Sequence, residues 1–265
     1  MAAMTVPEQI PDQFRDIAGS AMAAVASDPR LLGLMLGGSF ATGTGDAWSD
    51  LDLVIVSTDE THAAVLADAR AFADRLGPVL VAFTGEHVGE PRLLIALYGP
   101  PPLHVDLKFI GLGDLDHRVE DGIVLWQRDD VLDAALRRAD AVWPAPEPQW
   151  IEDRFWVWVH YATVKIARGE LLEAVDAVTY VRSAALAPLA SAGRTERPAG
   201  VRRLETLAPE HADAFRATVA GSGRDDCLRA LLATIELYRR LREDVTVRHN
   251  TAAEDAVLDF MRAVT

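Results

Sequence analysis

The sequence has a single cysteine, Cys227, among its 265 residues. An internal disulfide is therefore impossible, and a zinc site built from several thiolates is excluded. No apolar run reaches the roughly 18–20 residues that cross a bilayer, so no membrane-spanning segment is expected. Residues 1–12 lack the basic start and apolar middle of a signal peptide, and a cytoplasmic location is therefore expected.

Basic charge is also scarce. The chain has 26 Lys and Arg against 40 Asp and Glu, a net charge of −14. Residues 1–150 carry most of this excess, with 23 acidic and 10 basic side chains. Nucleic-acid binders need a basic surface, so this charge disfavours nucleic acid as a partner. An acidic half attracts cations, either metal ions or a polyamine-like substrate, although solubility alone accounts for the same excess.

The first part of the chain alternates strand and helix signals. Short β-branched or apolar runs predict strands, and apolar residues at helical spacing predict helices at 9–27 and 61–76. Gly99-Pro100-Pro101-Pro102 is typical of a hairpin link. These patterns predict a mixed β-sheet with helices packed against it, with strands at 31–36, 51–57, 79–83, 92–98 and 104–110.

The segment from Trp143 to Pro148 favours a linker, because its three prolines prevent regular structure. After it the pattern is helical, and Thr251 to Glu254 forms a capping box that opens the last helix. We therefore predict an α+β protein with a catalytic domain at 1–143 and an α-helical bundle at 144–265 that binds substrate. Its predicted helices are 151–168, 171–190, 210–220, 225–243 and 251–264, and an exposed loop is expected at 191–200.

The sharpest local signal is the pair Asp50 and Asp52 at the start of a predicted strand. Residues two apart on a strand point to the same face, so the two carboxylates repel each other unless a cation lies between them. Hard oxygen ligands suit Mg²⁺, which binds one or two carboxylates together with substrate phosphates. Asp106 lies in another alternating strand and supplies a third acid. Three carboxylates suit two metal ions for in-line nucleotidyl transfer.

A glycine turn precedes these acids. Gly37-Gly38-Ser39 follows an apolar run, and Asp50 lies eleven positions after Ser39. Glycines allow backbone N–H groups to approach an anion, and the serine hydroxyl can donate a hydrogen bond as well. A phosphate-binding turn and a metal site are therefore expected on neighbouring elements.

Gly-Gly-Ser, a spacer, Asp-Leu-Asp and a later strand Asp together resemble the DNA polymerase beta-type nucleotidyltransferase superfamily. The motif extends over residues 37–110, about a quarter of the chain. The resemblance implies that Gly38 and Ser39 bind the β and γ phosphates of a nucleotide. It also implies that Asp50, Asp52 and Asp106 hold two Mg²⁺ ions, with ATP or another NTP as co-substrate.

The helical half is similar to that of bacterial aminoglycoside and lincosamide nucleotidyltransferases. The similarity is carried by residues 155–171 and by the run from Pro198 to Glu205. It implies that a nucleoside monophosphate, as AMP from ATP, is transferred to a hydroxyl of a small-molecule antibiotic with release of pyrophosphate.

Lysine is rare enough to be informative, because 24 of the 26 basic residues are arginine. Lys108 follows Asp106 by two residues and shares its face of the strand, and Lys165 lies on the first helix of the second half. An ammonium group binds a phosphate oxygen as a point charge, so both are predicted phosphate ligands. Asp106 is the first choice for the general base that accepts the hydroxyl proton. The alternatives are Glu86, Glu170 and Glu173.

Two other functions stay open at this stage. The same chemistry could modify a protein or RNA partner, as in a toxin–antitoxin pair, although such enzymes are usually shorter. A non-catalytic nucleotide-binding module is the other alternative. A homodimer that shares the pocket between its subunits is also left open.

Overall fold

The computed structural model describes residues 5–144, 147–194 and 200–264. The chain divides into two compact units, Met1–Trp143 and Pro144–Thr265. The linker predicted at 143–148 includes residues 145 and 146, and the loop predicted at 191–200 includes residues 195–199. These residues lie outside the described ranges.

The first unit is built on a six-stranded mixed sheet with the strand order β3-β4-β5-β2-β1-β6. Only β2 and β5 pair in parallel, and the other neighbours are antiparallel. The expectation of a mixed sheet is confirmed. The strands are β1 (Leu31–Leu36), β2 (Leu51–Ser57), β3 (Val79–Gly85), β4 (Glu90–Tyr98), β5 (Leu103–Gly111) and β6 (Ile123–Gln127).

Alternation along β2 and β5 decides which face of each strand is buried. Leu51, Leu53 and Ile55 on β2 are fully buried, as are Leu107 and Phe109 on β5. These residues join the main core of the unit under the helices. Successive side chains point to opposite faces, so the acids on these two strands lie on the other face.

Short helices cover the sheet of the first unit. The helix expected at 61–76 forms as two, separated at Asp68, whose carboxylate pairs with Arg30 at 2.7 Å. Strand β6 and two short helices, Gly38–Ala41 and Val131–Leu136, were not predicted. The helices are α1 (Asp12–Ser27), α2 (Gly38–Ala41), α3 (His62–Ala67), α4 (Ala69–Asp74) and α5 (Val131–Leu136), with 3₁₀ turns at Glu86–Val88 and Leu112–His117.

The second unit is helical throughout its described residues, apart from its turns and loops. The helix predicted at 171–190 contains a π-helical turn at Arg182–Leu186, and the one predicted at 210–220 is shorter and follows a 3₁₀ turn, Pro209–His211. No described helix is both long and apolar enough to cross a bilayer. The helices are α6 (Pro148–Arg168), α7 (Leu171–Val181), α8 (Ala187–Ser191), α9 (Leu204–Leu207), α10 (Ala212–Ala217), α11 (Arg224–Arg242) and α12 (Thr251–Val264).

The core of the second unit is centred on an aromatic cluster. Phe155 stacks on Tyr238 with ring centroids 3.5 Å apart, and Trp156 meets both rings edge-on. The Tyr238 hydroxyl donates to the fully buried carboxylate of Glu152. The Arg242 guanidinium lies 3.5 Å from the same carboxylate, so this buried acid is paired.

Candidate active site

The parallel pairing of β2 and β5 brings the predicted acids to one place. Asp52 is the register partner of Asp106 across this pair. Asp50 immediately precedes β2, and both it and Asp106 are half-buried. Two segments that are distant in the sequence therefore meet through the sheet register.

Three side chains at this place form a set with the spacing of a metal site. One ligand atom each from Asp50, His104 and Asp106 lies within 4.8 Å of the others. The Nε2 atom of His104 is 3.0 Å from Oδ1 of Asp106. Oxygen donors suit Mg²⁺, whereas an imidazole nitrogen is a donor more typical of transition metals. The two carboxylates therefore fit the predicted cation, and His104 adds a third donor of a different kind.

Burial gives the Asp106 carboxyl an unusual environment. Its side chain is only 19 % exposed. Burial raises the pKa of Asp106, the charge of His104 opposes this rise, and the Asp50 carboxylate adds to it. A positive charge at this position would relieve both the burial cost and the repulsion between the two acids.

Asp52 lies against the glycine turn. The backbone N–H of Gly37 donates to the Asp52 carbonyl oxygen at 2.9 Å. Gly38 has a φ of +58°, and a Cβ atom placed there would lie 1.8 Å from Oδ2 of Asp52. Both the backbone conformation and the contact require glycine at this position.

Ser39 follows on the short helix α2. Its Oγ atom is buried and has no hydrogen-bond partner among the described residues. A buried hydroxyl without a partner is costly, so this oxygen is available to a ligand that reaches it.

A cavity of about 230 Å³ opens on the same face of the sheet. Val54 and Lys108, two residues beyond Asp52 and Asp106, contribute to its wall. The three predicted acids themselves are not among its lining residues. The cavity therefore lies farther along the strands than the acids do.

Lys108 belongs to a chain of ion pairs on this wall. Its Nζ atom is 3.0 Å from Oε2 of Glu90, whose other oxygen is 2.7 Å from Nε of Arg92. Arg92 in turn contacts Oδ1 of Asp114 at 3.0 Å. Glu90 therefore pairs with both Lys108 and Arg92, and Asp114 also pairs with Arg92.

The hydrogen bond from Arg92 lowers the pKa of Glu90 to about 2, partial burial opposes it, and Lys108 lowers it further. A depressed pKa in the folded state contributes stability that is present above the ordinary value of 4.5 and is lost as the pH falls toward 2.

We expect Glu90→Gln to lower the free energy of unfolding by about 1 kcal/mol or less near neutral pH, since the pair is partly exposed. The difference from wild type should shrink between pH 4.5 and 3 in urea titrations. A difference that is constant over this range would refute the ion pair as its cause.

The other predicted phosphate ligand lies in the second unit. Nζ of Lys165 is 2.6 Å from Oε2 of Glu170 and 5.0 Å from the ring centroid of Tyr161. Glu173, another alternative for the general base, accepts a hydrogen bond from the Tyr161 hydroxyl. The described contacts of Lys165 therefore lie within its own unit.

Sequence reasoning missed His104 as a member of the set. Its position two residues before Asp106 on the same strand was the available signal, because alternation places both on one face. The sequence contains no such signal for Glu90, Arg92 and Asp114. Glu90 contacts Lys108 because β4 pairs with β5, and Asp114 contacts Arg92 from the turn that follows β5.

Comparison with known proteins agrees with this arrangement at the level of a domain. Residues 24–93 match the family described as "Nucleotidyltransferase domain". The matched segment includes the glycine turn, Asp50 and Asp52, and ends before Asp106. Comparison with the curated proteins gives no match.

Among solved structures, an aminoglycoside 6-adenyltransferase from Bacillus subtilis is similar at 14 % identity and a TM-score of 0.42, covering 98 % of this chain and 99 % of the other. A nucleotidyltransferase-like protein from Exiguobacterium sibiricum 255-15 shares 15 % identity, with a TM-score of 0.37 and coverage of 84 % and 74 %. The CdnC:HORMA-deltaN complex of E. coli MS115-1 shares 14 % identity, with a TM-score of 0.30 and coverage of 89 % and 92 %.

These TM-scores are all below 0.5, so the overall likeness supports no conclusion about substrates. The family match is local, and it coincides with the strand and turn that carry the sequence motif. Residues 24–93 therefore carry a nucleotidyltransferase domain, which is the domain that the motif in this part of the chain predicts.

Proposed function

We propose that this protein transfers a nucleoside monophosphate, AMP from ATP, to a hydroxyl group of a small molecule and releases pyrophosphate. The observation that carries the proposal is the meeting of Asp50 and Asp106 beside the glycine turn. Two half-buried carboxylates, one just before β2 and one within β5, repel each other and are costly to bury, so they need a function that offsets this cost. A cation that binds a triphosphate supplies it.

The carboxylates of Asp50, Asp52 and Asp106 would hold Mg²⁺, with His104 as a neighbouring donor. The bound cations would neutralise the triphosphate and stabilise the charge that develops on the leaving pyrophosphate. Ser39, with its unpartnered buried hydroxyl, would donate to a phosphate oxygen. Gly38 leaves the space in which the Asp52 carboxylate lies.

The reaction forms a bond between the acceptor oxygen and the α-phosphorus, and it breaks the bond from that phosphorus to the oxygen that bridges to the β-phosphate. The hydroxyl proton passes to a carboxylate. Asp106 is our candidate for this group, and Glu86, Glu170 and Glu173 are the alternatives. Lys108 and Arg92 line the neighbouring cavity and would bind phosphate oxygens as positive charges.

The acceptor class is supported by the sequence of the second unit. Residues 155–171 resemble the helical part of aminoglycoside and lincosamide nucleotidyltransferases, and the acidic balance of the chain favours a cationic acceptor. We therefore propose an aminoglycoside or a lincosamide as the acceptor.

A pyrophosphate-release screen tests this function. The purified protein is incubated with Mg²⁺, each of ATP, GTP, CTP and UTP, and a panel of antibiotics, with EDTA as the control. We expect release that requires both an acceptor and a divalent cation. Labelled ATP incubated with cell lysate separates the alternatives, because a labelled protein or RNA would contradict a small-molecule acceptor. Binding of nucleotide without any turnover would contradict catalysis.

Lys165 provides a prediction about the second unit. If its ammonium binds the triphosphate, Lys165→Gln should raise the KM for ATP about tenfold, the scale of one hydrogen bond to a charged group. Arg168→Gln is the matched control, because it removes an exposed cation from the same helix, and it should leave the KM for ATP unchanged. An unchanged KM in Lys165→Gln would remove this residue from the site.

A further inference from the structure

A separate cavity lies within the second unit. Its volume is about 190 Å³, and apolar side chains form most of its wall, with three charged side chains among them. The lining residues that bear on its chemistry are Arg182, Leu204, Glu205, Phe215, Arg216 and Val219. A concave space of this composition suits a small molecule that has an apolar frame and a charged group.

An irregular helical turn positions Arg182 at this cavity. The π-helical turn Arg182–Leu186 separates α7 from α8, and the N–H of Ala187 donates to the carbonyl oxygen of Arg182, five residues back. Pro188 comes next and has no N–H to donate, which explains why the regular hydrogen-bond pattern is lost here. Single π-helical turns inside a helical run are frequently found at functional sites.

The guanidinium of Arg182 is half-buried and has only neutral partners. Its Nε atom donates to Oγ1 of Thr218 at 3.0 Å, and its Nη2 atom donates to Oγ1 of Thr179 at 3.2 Å. Among the described residues, no carboxylate pairs with Arg182 and no acceptor faces its Nη1 atom. Burial lowers the pKa of Arg182. A partly desolvated cation of this kind is costly unless an anion compensates it.

The other charged groups of the cavity do not supply that anion. Arg216 is itself a cation, and its Nη1 atom is 2.5 Å from Oδ1 of Asp213. Glu205 is exposed, and it forms no ion pair with either arginine within the described part of the chain. Water screens an exposed charge far more than a half-buried one. The charge that a ligand meets inside the cavity is therefore the positive charge of Arg182.

We propose that this cavity binds a small organic monocarboxylate, a molecule that carries one carboxylate on an apolar frame. The N–H groups of Nη1 would donate to the carboxylate, and the buried side chains of Leu204 and Phe215 would contact the frame. One uncompensated positive charge matches one negative charge, whereas a phosphate monoester carries about two. A neutral ligand would leave the guanidinium without a counter-charge. No residue of this cavity belongs to the predicted nucleotide site, so the inference goes beyond the proposed transfer reaction.

Titration with benzoate, followed by saturation-transfer NMR without nucleotide or Mg²⁺, tests the site at neutral pH. Benzamide has nearly the same shape and no charge, so it separates recognition of the carboxylate from burial of the ring. We expect benzoate to bind and benzamide to bind much more weakly. Arg182→Met should weaken benzoate binding at least about tenfold, the scale for hydrogen bonds to a charged group.

A second variant tests the charge of the cavity without removing a half-buried group. Val219 is 53 % exposed, so Val219→Asp adds an acid to the wall with little effect on folding, and like-charge repulsion should weaken benzoate binding about fivefold or more. Val157→Asp, at an exposed position of α6 outside the cavity, is the matched control for it and should bind like wild type. Arg262→Gln removes an exposed arginine of α12 and is the control for Arg182→Met.

Circular dichroism confirms that each variant is folded. Three results would each overturn the proposal. The first is no binding of benzoate to the wild type, and the second is equal binding of benzamide and benzoate. The third is wild-type affinity for benzoate in folded Arg182→Met or in Val219→Asp.

Discussion

Asp50→Asn is expected to lower turnover by at least ~10²-fold, the scale for loss of one preorganised electrostatic group at a reacting centre. The substitution keeps the shape of the side chain and removes its charge. One ligand atom each from Asp50, His104 and Asp106 lies within 4.8 Å of the others. Without the Asp50 carboxylate, this set keeps a single acid, Asp106. The expected loss is therefore in kcat measured by pyrophosphate release at saturating ATP and acceptor.

The control for this variant is Asp16→Asn, which removes an exposed acid from α1 and changes the net charge by the same amount. It should keep wild-type turnover. Thermal unfolding of both variants separates a lost charge from a lost fold. Near-normal turnover in Asp50→Asn would contradict the assignment of this carboxylate to the reaction.

Gly38→Ala is expected to lower both stability and turnover. The residue has a φ of +58°, a left-handed conformation that costs an L-residue about 1–2 kcal/mol. The new methyl group would also lie 1.8 Å from Oδ2 of Asp52, so the carboxylate must move. Misplacement of a catalytic group by about 1 Å can cost ~10²-fold in rate, and we expect a loss of this order in kcat.

Gly43→Ala is the matched control for this substitution. Gly43 has a φ of +70°, and a Cβ atom there would meet nothing within 4 Å. It therefore carries the backbone cost without the contact, and we expect about 1–2 kcal/mol of destabilisation with turnover unchanged. Urea unfolding and steady-state rates distinguish the two variants. Equal rates in Gly38→Ala and Gly43→Ala would show that the contact with Asp52 has no bearing on the reaction.

Local sequence patterns were sufficient for the strands that carry the acids. The prediction for β2 at 51–57 matches the structure, and β5 extends the prediction of 104–110 by one residue at each end. The β-branched, apolar run at 53–56 in β2 and the alternation of apolar and polar residues over 103–109 in β5 explain this agreement. Strand β6 was missed because all five of its residues are half-buried, which leaves no alternation to detect.

Two of the predicted helices differ from the structure. Apolar spacing over 61–76 predicted one helix, and the structure breaks it at Asp68, whose side chain bonds to Arg30 from a distant segment. The π-helical turn at Arg182–Leu186 within the helix predicted at 171–190 gave no signal in the spacing of apolar residues. The residues of a short stretch of sequence do not predict tertiary contacts and local irregularities of this kind.

The residues of the candidate active site also differ in how far the sequence alone predicts them. Gly38, Asp50 and Asp52 belong to one local motif, so their residue types and spacing indicate the chemistry before any fold is known. The meeting of Asp106 with Asp50 depends on the register of β2 and β5, which a family resemblance implied and the structure shows. The pairing of Lys108 with Glu90 depends on tertiary contact alone and could not be predicted.

We propose that carboxylates at the start of β2 and within β5 together bind divalent cations with a nucleotide. Electron paramagnetic resonance of Mn²⁺, titrated into the protein with a non-hydrolysable ATP analogue, tests it without any acceptor. We expect nucleotide-dependent Mn²⁺ binding in wild type and in Asp16→Asn, and its loss in both Asp50→Asn and Asp106→Asn. Unchanged Mn²⁺ affinity in those last two variants would contradict it.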